Sequence, residues 1–324
     1  MIEKEIRPLY FFHKYLALSK KDISKFKFKN NLKINCPACK NSKSNFEMKK
    51  NKFKYYSCSI CKSLYLNPRP NSKDLKSFYA NSDSAKYWAN VFFPRVLQNR
   101  IKKIFVPRYL KIQKILNRLN FKPKSVCEIG AGHGIFLDQI KNNTNIKKLY
   151  AIEPNKDMSK ILRDKKFIVF EKLIENITKT SFVDFAVSFE VFEHIYDPNK
   201  FLKSVYKILK KKGIFIMTTL TVDGFDINYL GKKSKSISPP HHLNFLSIEG
   251  FKSIFDNNNF EIINIFTPGK LDTDIVKNTL SSKEIQKDKF LSKIFSNSSI
   301  EKSFQRFLSN NCLSSHVWIV ARKR

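Results

Sequence analysis

The stretch Val126-Cys127-Glu128-Ile129-Gly130-Ala131-Gly132-His133-Gly134-Ile135-Phe136-Leu137 places three of the chain's eight glycines within five residues. The apolar run before the glycines reads as a buried strand, and the apolar spacing after them as the start of a helix. Glycines at such a junction let the backbone turn sharply and approach a ligand where any Cβ would intrude. A strand, a glycine loop and a helix in succession form the unit with which open α/β sheets bind nucleotide-like cofactors. The dinucleotide pattern G-x-G-x-x-G is not met, because Ile135 stands where its third glycine belongs. The strand also carries an acid, Glu128, two residues before the first glycine. A carboxylate there repels a pyrophosphate and suits a cationic or amine-bearing ligand. A second apolar run, Leu149-Tyr150-Ala151-Ile152, ends in Glu153, an acid at a strand tip able to take both hydroxyls of a ribose.

These residues resemble motif I, and the acidic strand tip that follows it, of the class I S-adenosylmethionine-dependent methyltransferases. The resemblance implies a Rossmann-like α/β fold with a seven-stranded, mainly parallel sheet, helices on both faces and an antiparallel last strand. It implies S-adenosylmethionine as cofactor, with Glu128, Gly130, Ala131, Gly132, Gly134, Glu153, Phe189 and Glu190 around it. It also implies an acid near the third strand that binds the adenine amine. Glu171 and Glu175 both qualify, and the sequence does not choose between them.

The rest of the chain reads consistently with that frame. Strands over 125–129, 148–152, 167–170, 183–188, 214–219, 260–266 and 316–321 alternate with helices over 134–141, 156–163, 200–209 and 248–257. Such alternation gives a mainly parallel sheet covered on both faces. Gly213 reads as the stop of the helix before it. Between 92 and 119 apolar residues recur at helical spacing, and Pro107 reads as a break between two helices that cover the cofactor. The expected organisation is a basic segment over 1–33, a metal module over 34–70, a helical linker over 71–120 and a catalytic domain over 121–324. A lysine-rich helical insertion at 269–313 precedes the last strand.

The metal module rests on Cys36-Pro37-Ala38-Cys39 and Cys58-Ser59-Ile60-Cys61, two C-x-x-C pairs separated by 18 residues. That spacing suits a four-thiolate zinc ribbon, each pair aiming two sulfurs at one ion. A four-cysteine site leaves no open coordination position, so the metal folds the module and takes no part in catalysis. The stretch 46–56 between the pairs reads as a hairpin of lysines and aromatics. Cys127 and Cys312 read as packing residues. The ribbon is followed by Asn67-Pro68-Arg69-Pro70 and then Leu75-Lys76-Ser77-Phe78-Tyr79. This order resembles a bacterial methyltransferase group with an N-terminal zinc-ribbon module, a likeness running from about residue 34 to the end.

Methyl transfer from a sulfonium is a direct displacement, so the protein positions the acceptor and removes a proton. Candidates belong at the carboxyl ends of the fourth and fifth strands. Glu190-Val191-Phe192-Glu193-His194 resembles the E-x-x-E-H of ubiquinone-biosynthesis O-methyltransferases, where those positions can hold magnesium. Glu193 and His194 then serve as metal ligands or general base, or they order the loop through hydrogen bonds. Pro239-Pro240-His241-His242-Leu243-Asn244-Phe245 contains the H-x-N-F that the family carries near its acceptor pocket, which makes His242 a third catalytic candidate. Ser247 beyond it also reads as a helix cap, with Glu249 in the first turn. His13, His133 and His316 read as structural.

Composition bounds the partners. The 324 residues are 42% hydrophobic, enough for a full core, and no apolar run approaches the roughly 18 residues of a membrane span. The N-terminus has no secretory pattern, and a cytoplasmic location is the expectation. The formal charge of +34 is concentrated toward the N-terminal third. Lysine far exceeds arginine and Asn, Ile and Phe abound, the profile an A/T-rich genome imposes. The resemblance, through the Glu193-His194 loop after the fourth strand, implies methylation, mainly at oxygen, of a small-molecule or carbohydrate acceptor. The alternative is a zinc-ribbon RNA methyltransferase acting on ribosomal RNA, whose phosphate contacts the basic front half would serve.

Overall fold

The computed structural model describes residues 3–26, 31–281 and 288–324. Residues 27–30 of the expected basic segment and 282–287 of the expected helical insertion lie outside the described residues. The chain divides into two compact units. One comprises Met1–Leu97, Leu220–Phe251 and Phe266–Val317, and the other Gln98–Thr219, Lys252–Ile265 and Trp318–Arg324. Among the described residues the strands are β1 (Ser44–Lys50), β2 (Phe53–Cys58), β3 (Leu64–Leu66), β4 (Ser125–Ile129), β5 (Lys148–Ile152), β6 (Ile168–Phe170), β7 (Val183–Phe189), β8 (Leu209–Leu220), β9 (Asn244–Phe245), β10 (Phe260–Phe266) and β11 (His316–Lys323).

The second unit is built on a seven-stranded sheet in the order β10-β11-β8-β7-β4-β5-β6. β4 pairs in parallel with β5 and β7, β5 with β6, and β7 with β8. This is the Rossmann-like α/β architecture read from the sequence. All five residues of β4 are buried, as a strand covered on both faces requires. The chain builds outward through β5 and β6 on one side of β4, then returns to build β7 and β8 on the other. That reversal opens a crevice at the carboxyl ends of β4 and β7. Helix Ile135–Asn143 buries Ile135, Phe136, Leu137 and Ile140. Helix Pro198–Ile208 starts where the Asp197 carboxylate accepts from the amides of Asn199 and Lys200, both at 3.1 Å. It buries Phe201 near Phe215, and Phe255 stacks on Phe215 with centroids 6.3 Å apart. Each such fully buried ring contributes about 1.5–3 kcal/mol.

Two sequence expectations are corrected here. Gly213 does not stop a helix: the helix ends at Ile208, Leu209 is already extended (ψ 138°), and Gly213 lies inside β8. A Cβ at Gly213 would stand 2.9 Å from the Lys210 carbonyl oxygen and 3.1 Å from that of Asp184. The glycine thus permits a close backbone approach where the β7–β8 register shifts between Val183 and Phe185. Nor does Pro107 separate two helices. The chain stays helical through Phe93–Arg100, a π-helical turn at Ile101–Phe105, and Val106–Arg118. Pro107 falls at the start of that last segment, directly after the π-helical turn, the kind of local adjustment by which a helix accommodates a proline.

The first unit carries the sheet β1-β2-β3-β9. β1 and β2 form the expected hairpin, turned by Asn51 and Lys52 with φ of 48° and 70°. Positive φ at both turn residues matches the twist of the two strands. β3 pairs antiparallel with β2 on one side and with β9 on the other. Phe12 of helix Leu9–Ser24 packs with Tyr87, Phe92 and Val96. Helices Asp272–Ser281, Lys289–Phe295 and Ser298–Asn310 lie within 269–313. Leu230, Val276, Leu291 and Ile294 form a core with them. No helix among the described residues is long and apolar enough to cross a membrane.

Candidate active site

The register of β4 puts Ile129 opposite Ile152 of β5 and Ser188 of β7. Gly130, Glu153 and Phe189 therefore stand at one level at the carboxyl ends of their strands. Gly130, Gly132 and Gly134 have φ of 73°, 53° and 70°, a run few L-residues tolerate. Their surroundings separate them. A Cβ on Gly130 would lie 2.5 Å from Cγ2 of Val191, and one on Gly134 2.6 Å from Cδ2 of Leu162. A Cβ on Gly132 would meet nothing within 4 Å, so the middle glycine faces open space. Within the loop the Gly134 amide donates to the Ala131 carbonyl at 2.8 Å.

Glu128 is 4% exposed, and its Oε2 has no hydrogen-bond partner among the described residues. Burial pushes its carboxyl up to about 8, against the opposing pull of Arg108 and of the Leu137 amide. A buried acid with an unmet oxygen fits an ammonium, and the open space above Gly132 fits an adenosyl group; the residues present suit the implied cofactor. Glu153 accepts from the amides of Gly132 and Asn155, both at 2.9 Å, one on each carboxylate oxygen. Each oxygen keeps a lone pair for a further donor. Burial raises this carboxyl too. Glu171 is tied to Arg163 at 2.7 Å, whereas Glu175 sits in the short turn Ile174–Asn176 with its carboxyl raised by burial.

Beyond β7 the chain turns through Glu190, whose φ is 55°. Its carboxylate accepts from Arg108 at 3.1 Å and from the Thr218 hydroxyl at 2.7 Å. Arg108, 7% exposed, lies over the Phe189 ring at 4.4 Å, and Phe189 meets Phe136 edge to face at 4.9 Å. Glu193 is 3% exposed and accepts from the Thr219 hydroxyl at 2.7 Å. Burial, reinforced by the Glu190 charge, pushes its carboxyl up to about 8. His194 ends the same short turn, half-buried, its amide donating to the Val191 carbonyl. Arg108, Thr218 and Thr219 escaped the sequence reading. The threonines had a signal, since they close the fifth strand where site residues belong; Arg108 had none.

In the first unit, His242 has Nδ1 2.5 Å from the Ser236 carbonyl oxygen. A carbonyl only accepts, so Nδ1 donates to it and the ring is oriented by that contact. Ser247 caps helix Ile248–Asp256, accepting from the Gly250 amide at 2.9 Å. Also in this unit, the sulfurs of Cys36, Cys39, Cys58 and Cys61 all lie within 4.8 Å of one another. Cys36 and Cys61 sulfurs are 3.5 Å apart, as are those of Cys39 and Cys58. Disulfide sulfurs stand about 2.0 Å apart, whereas four sulfurs each about 2.3 Å from one ion are separated by roughly 3.8 Å. The four cysteines fit a tetrahedral metal.

A family profile described as a methyltransferase domain matches residues 104–265, half of the chain. An uncharacterized protein of Methanocaldococcus jannaschii is 25% identical over 229 residues, covering 69% of this chain and 94% of its own. The mitochondrial ubiquinone biosynthesis O-methyltransferase of Dictyostelium discoideum is 26% identical over 151 residues, 44% of this chain; the match spans 47% of that enzyme. Among solved structures, a SAM-dependent methyltransferase of Thermotoga maritima covers 72% of this chain and 98% of its own, at 20% identity and a TM-score of 0.45.

Proposed function

The chain belongs to the methyltransferase-domain family, and from that premise we propose that it transfers the methyl group of S-adenosylmethionine to an oxygen of a small-molecule or carbohydrate acceptor. The observation that carries the reading is Glu128, a buried carboxylate with an unmet oxygen beside a glycine that faces open space. Glu128 would pair with the cofactor's ammonium through its unmet oxygen. The loop of Gly130, Ala131, Gly132 and Gly134 would hold its adenosyl group, with Gly132 on the open side, and Glu153 would accept from its ribose hydroxyls. Of the two acids near the third strand, Glu175 would take the adenine amine, since Glu171 pairs with Arg163.

The bound cofactor provides an electrophilic methyl. The chain's own residues hold the acceptor in line and take its proton. We assign the base to His242, whose ring the Ser236 carbonyl orients through Nδ1. Glu193 and His194 shape the turn beside the cofactor, with Phe189 and Glu190 fixed by Arg108. Magnesium is not adopted: a cation at Glu190 would have to displace the Arg108 guanidinium. Zinc is assigned to the four cysteines in a structural role, and a cytoplasmic setting keeps such thiols reduced.

Oxygen as acceptor draws support from the likeness to the Dictyostelium O-methyltransferase. The RNA reading draws on the charge of +34. Purified protein incubated with methyl-labelled cofactor and separate pools of glycans, nucleotide sugars, hydroxylated small molecules and RNA tests both. We expect label in one of the first three pools and its loss in the His242→Asn variant. Label in RNA alone replaces this acceptor with the other. No labelled product, together with no cofactor binding, removes the proposal.

A further inference from the structure

The four-cysteine module and the loop carrying His242 are joined bond by bond across a long stretch of sequence. The Tyr55 hydroxyl donates to the His242 carbonyl at 2.6 Å, and the Tyr79 hydroxyl to the His241 carbonyl at 3.3 Å. The Leu243 carbonyl accepts from the Leu66 amide at 2.9 Å and from Arg69 Nη2 at 3.5 Å. The same Nη2 donates to Asn244 Oδ1 at 2.7 Å. The His242 and Leu243 carbonyls and the asparagine of the H-x-N-F motif are thus held from the cysteine-bearing segment and its N-P-R-P turn, and the His241 carbonyl from Tyr79 in helix Ser72–Asn81 just beyond it.

A second set of contacts leads into the sulfur cluster itself. Cys61 Sγ lies 3.2 Å from Ser63 Oγ, which accepts from the Ser247 amide at 3.1 Å. The Ser247 hydroxyl donates to the Cys61 carbonyl. Gly250 completes the fit: a Cβ there would collide with Ser63 Oγ and come 3.3 Å from Ala38 Cβ. Tyr55, Ser63 and Arg69 are each 2% exposed or less. Buried polar groups are costly when unpaired, so these bonds leave the loop few other arrangements.

We propose that the four-cysteine module is the positioning element of the loop over 236–247, with Tyr55, Ser63 and Arg69 as positioning residues, so that metal held by the sulfurs sets where His242 and Asn244 stand. The inference deepens the assignment of His242 as base and rests on it for its functional meaning. It makes the metal a determinant of acceptor geometry without placing it in the reaction.

The test uses the zinc-loaded full chain and needs no acceptor. Amide hydrogen exchange is followed by mass spectrometry over peptides covering 236–250 and, for comparison, 125–155, before and after zinc removal by a chelator. We expect exchange over 236–250 to accelerate at least tenfold, with 125–155 and the cofactor Kd unchanged within twofold. Tyr55→Phe and Arg69→Lys should accelerate the same peptides with zinc content retained, and should move the His242 ring-proton chemical shifts at fixed pH. The proposal is overturned if 236–250 keeps its protection once zinc is gone, if both regions lose protection together, if both variants exchange as wild type, or if the chain holds no zinc. None of these readouts requires methyl transfer, so failure of the proposed reaction is seen separately.

Discussion

Arg108 reaches the Glu190 carboxylate at 3.1 Å while covering the face of Phe189 at 4.4 Å. It thereby ties helix Val106–Arg118 to the turn after β7. Glu190 holds a φ of 55°, a conformation costing a non-glycine residue about 1–3 kcal/mol. The bonds from Arg108 and Thr218 keep it there. Arg108 also faces the charges of Glu128 and Glu193, and burial, the largest influence on it, draws its guanidinium below the ordinary value.

Removing this cation should therefore cost both stability and cofactor affinity. Glu190 is about a third exposed, which screens the pair, so we expect Arg108→Met to destabilise by about 1–3 kcal/mol in urea denaturation. Cofactor affinity should fall about tenfold by calorimetry. Arg108→Lys keeps the charge but loses the planar stacking on Phe189, and should recover only part of both. Wild-type stability and affinity in the Met variant would refute this role.

Cofactor binding should depend on pH through Glu128. Burial holds its carboxyl up to about 8. Pairing with an ammonium favours the ionised form, so binding below pH 8 releases a proton and affinity rises toward pH 8. Above that the cofactor's own amine, with an ordinary value of about 7.7–8.0, loses its proton and affinity falls again. Glu128→Gln should abolish the rising limb and keep the falling one. An unchanged profile in that variant would contradict the assignment.

The three loop glycines should respond differently to alanine. Gly132→Ala meets no atom within 4 Å, so the cofactor-free protein should lose only about 1 kcal/mol for the positive φ. Its cofactor Kd should weaken at least tenfold, because the methyl enters the space the ligand needs. Gly134→Ala collides with Leu162 and should destabilise the free protein by about 2–4 kcal/mol. Equal effects on folding and on binding from both variants would remove the distinction.

Metal analysis of the purified chain should return one zinc, and Cys36→Ser should lower that content together with the melting temperature. Elemental analysis and calorimetric melting decide it. A wild-type chain free of zinc at full stability would exclude the metal site.

Much of this was legible before the structure. β4, β5 and β10 were read with correct bounds: β4 and β5 because strands inside an α/β sheet are largely apolar runs, and β10, an edge strand, because Ile262, Ile263, Ile265 and Phe266 recur among its polar residues. The sulfur cluster was legible because metal geometry demands two close pairs. Arg108 was not: it is one of 61 lysines and arginines, and its partner lies 82 positions away. β9 is two residues long and has no periodicity to read; its pairing with β3 comes from the fold alone. Asp226, fully buried with a carboxyl pushed up to about 7 by burial and by Asp272, also carried no signal in the sequence.

Leu64 and Tyr65 of β3 find their outer partners in Phe245 and Asn244. At ordinary translation speed those partners leave the ribosome on the order of 10–40 s later. Throughout that interval a nascent chain exposes an apolar strand edge, open to self-association or to a chaperone. A product truncated before residue 244 would keep that edge for good, so the cysteine module cannot be expected to behave as a free-standing fragment.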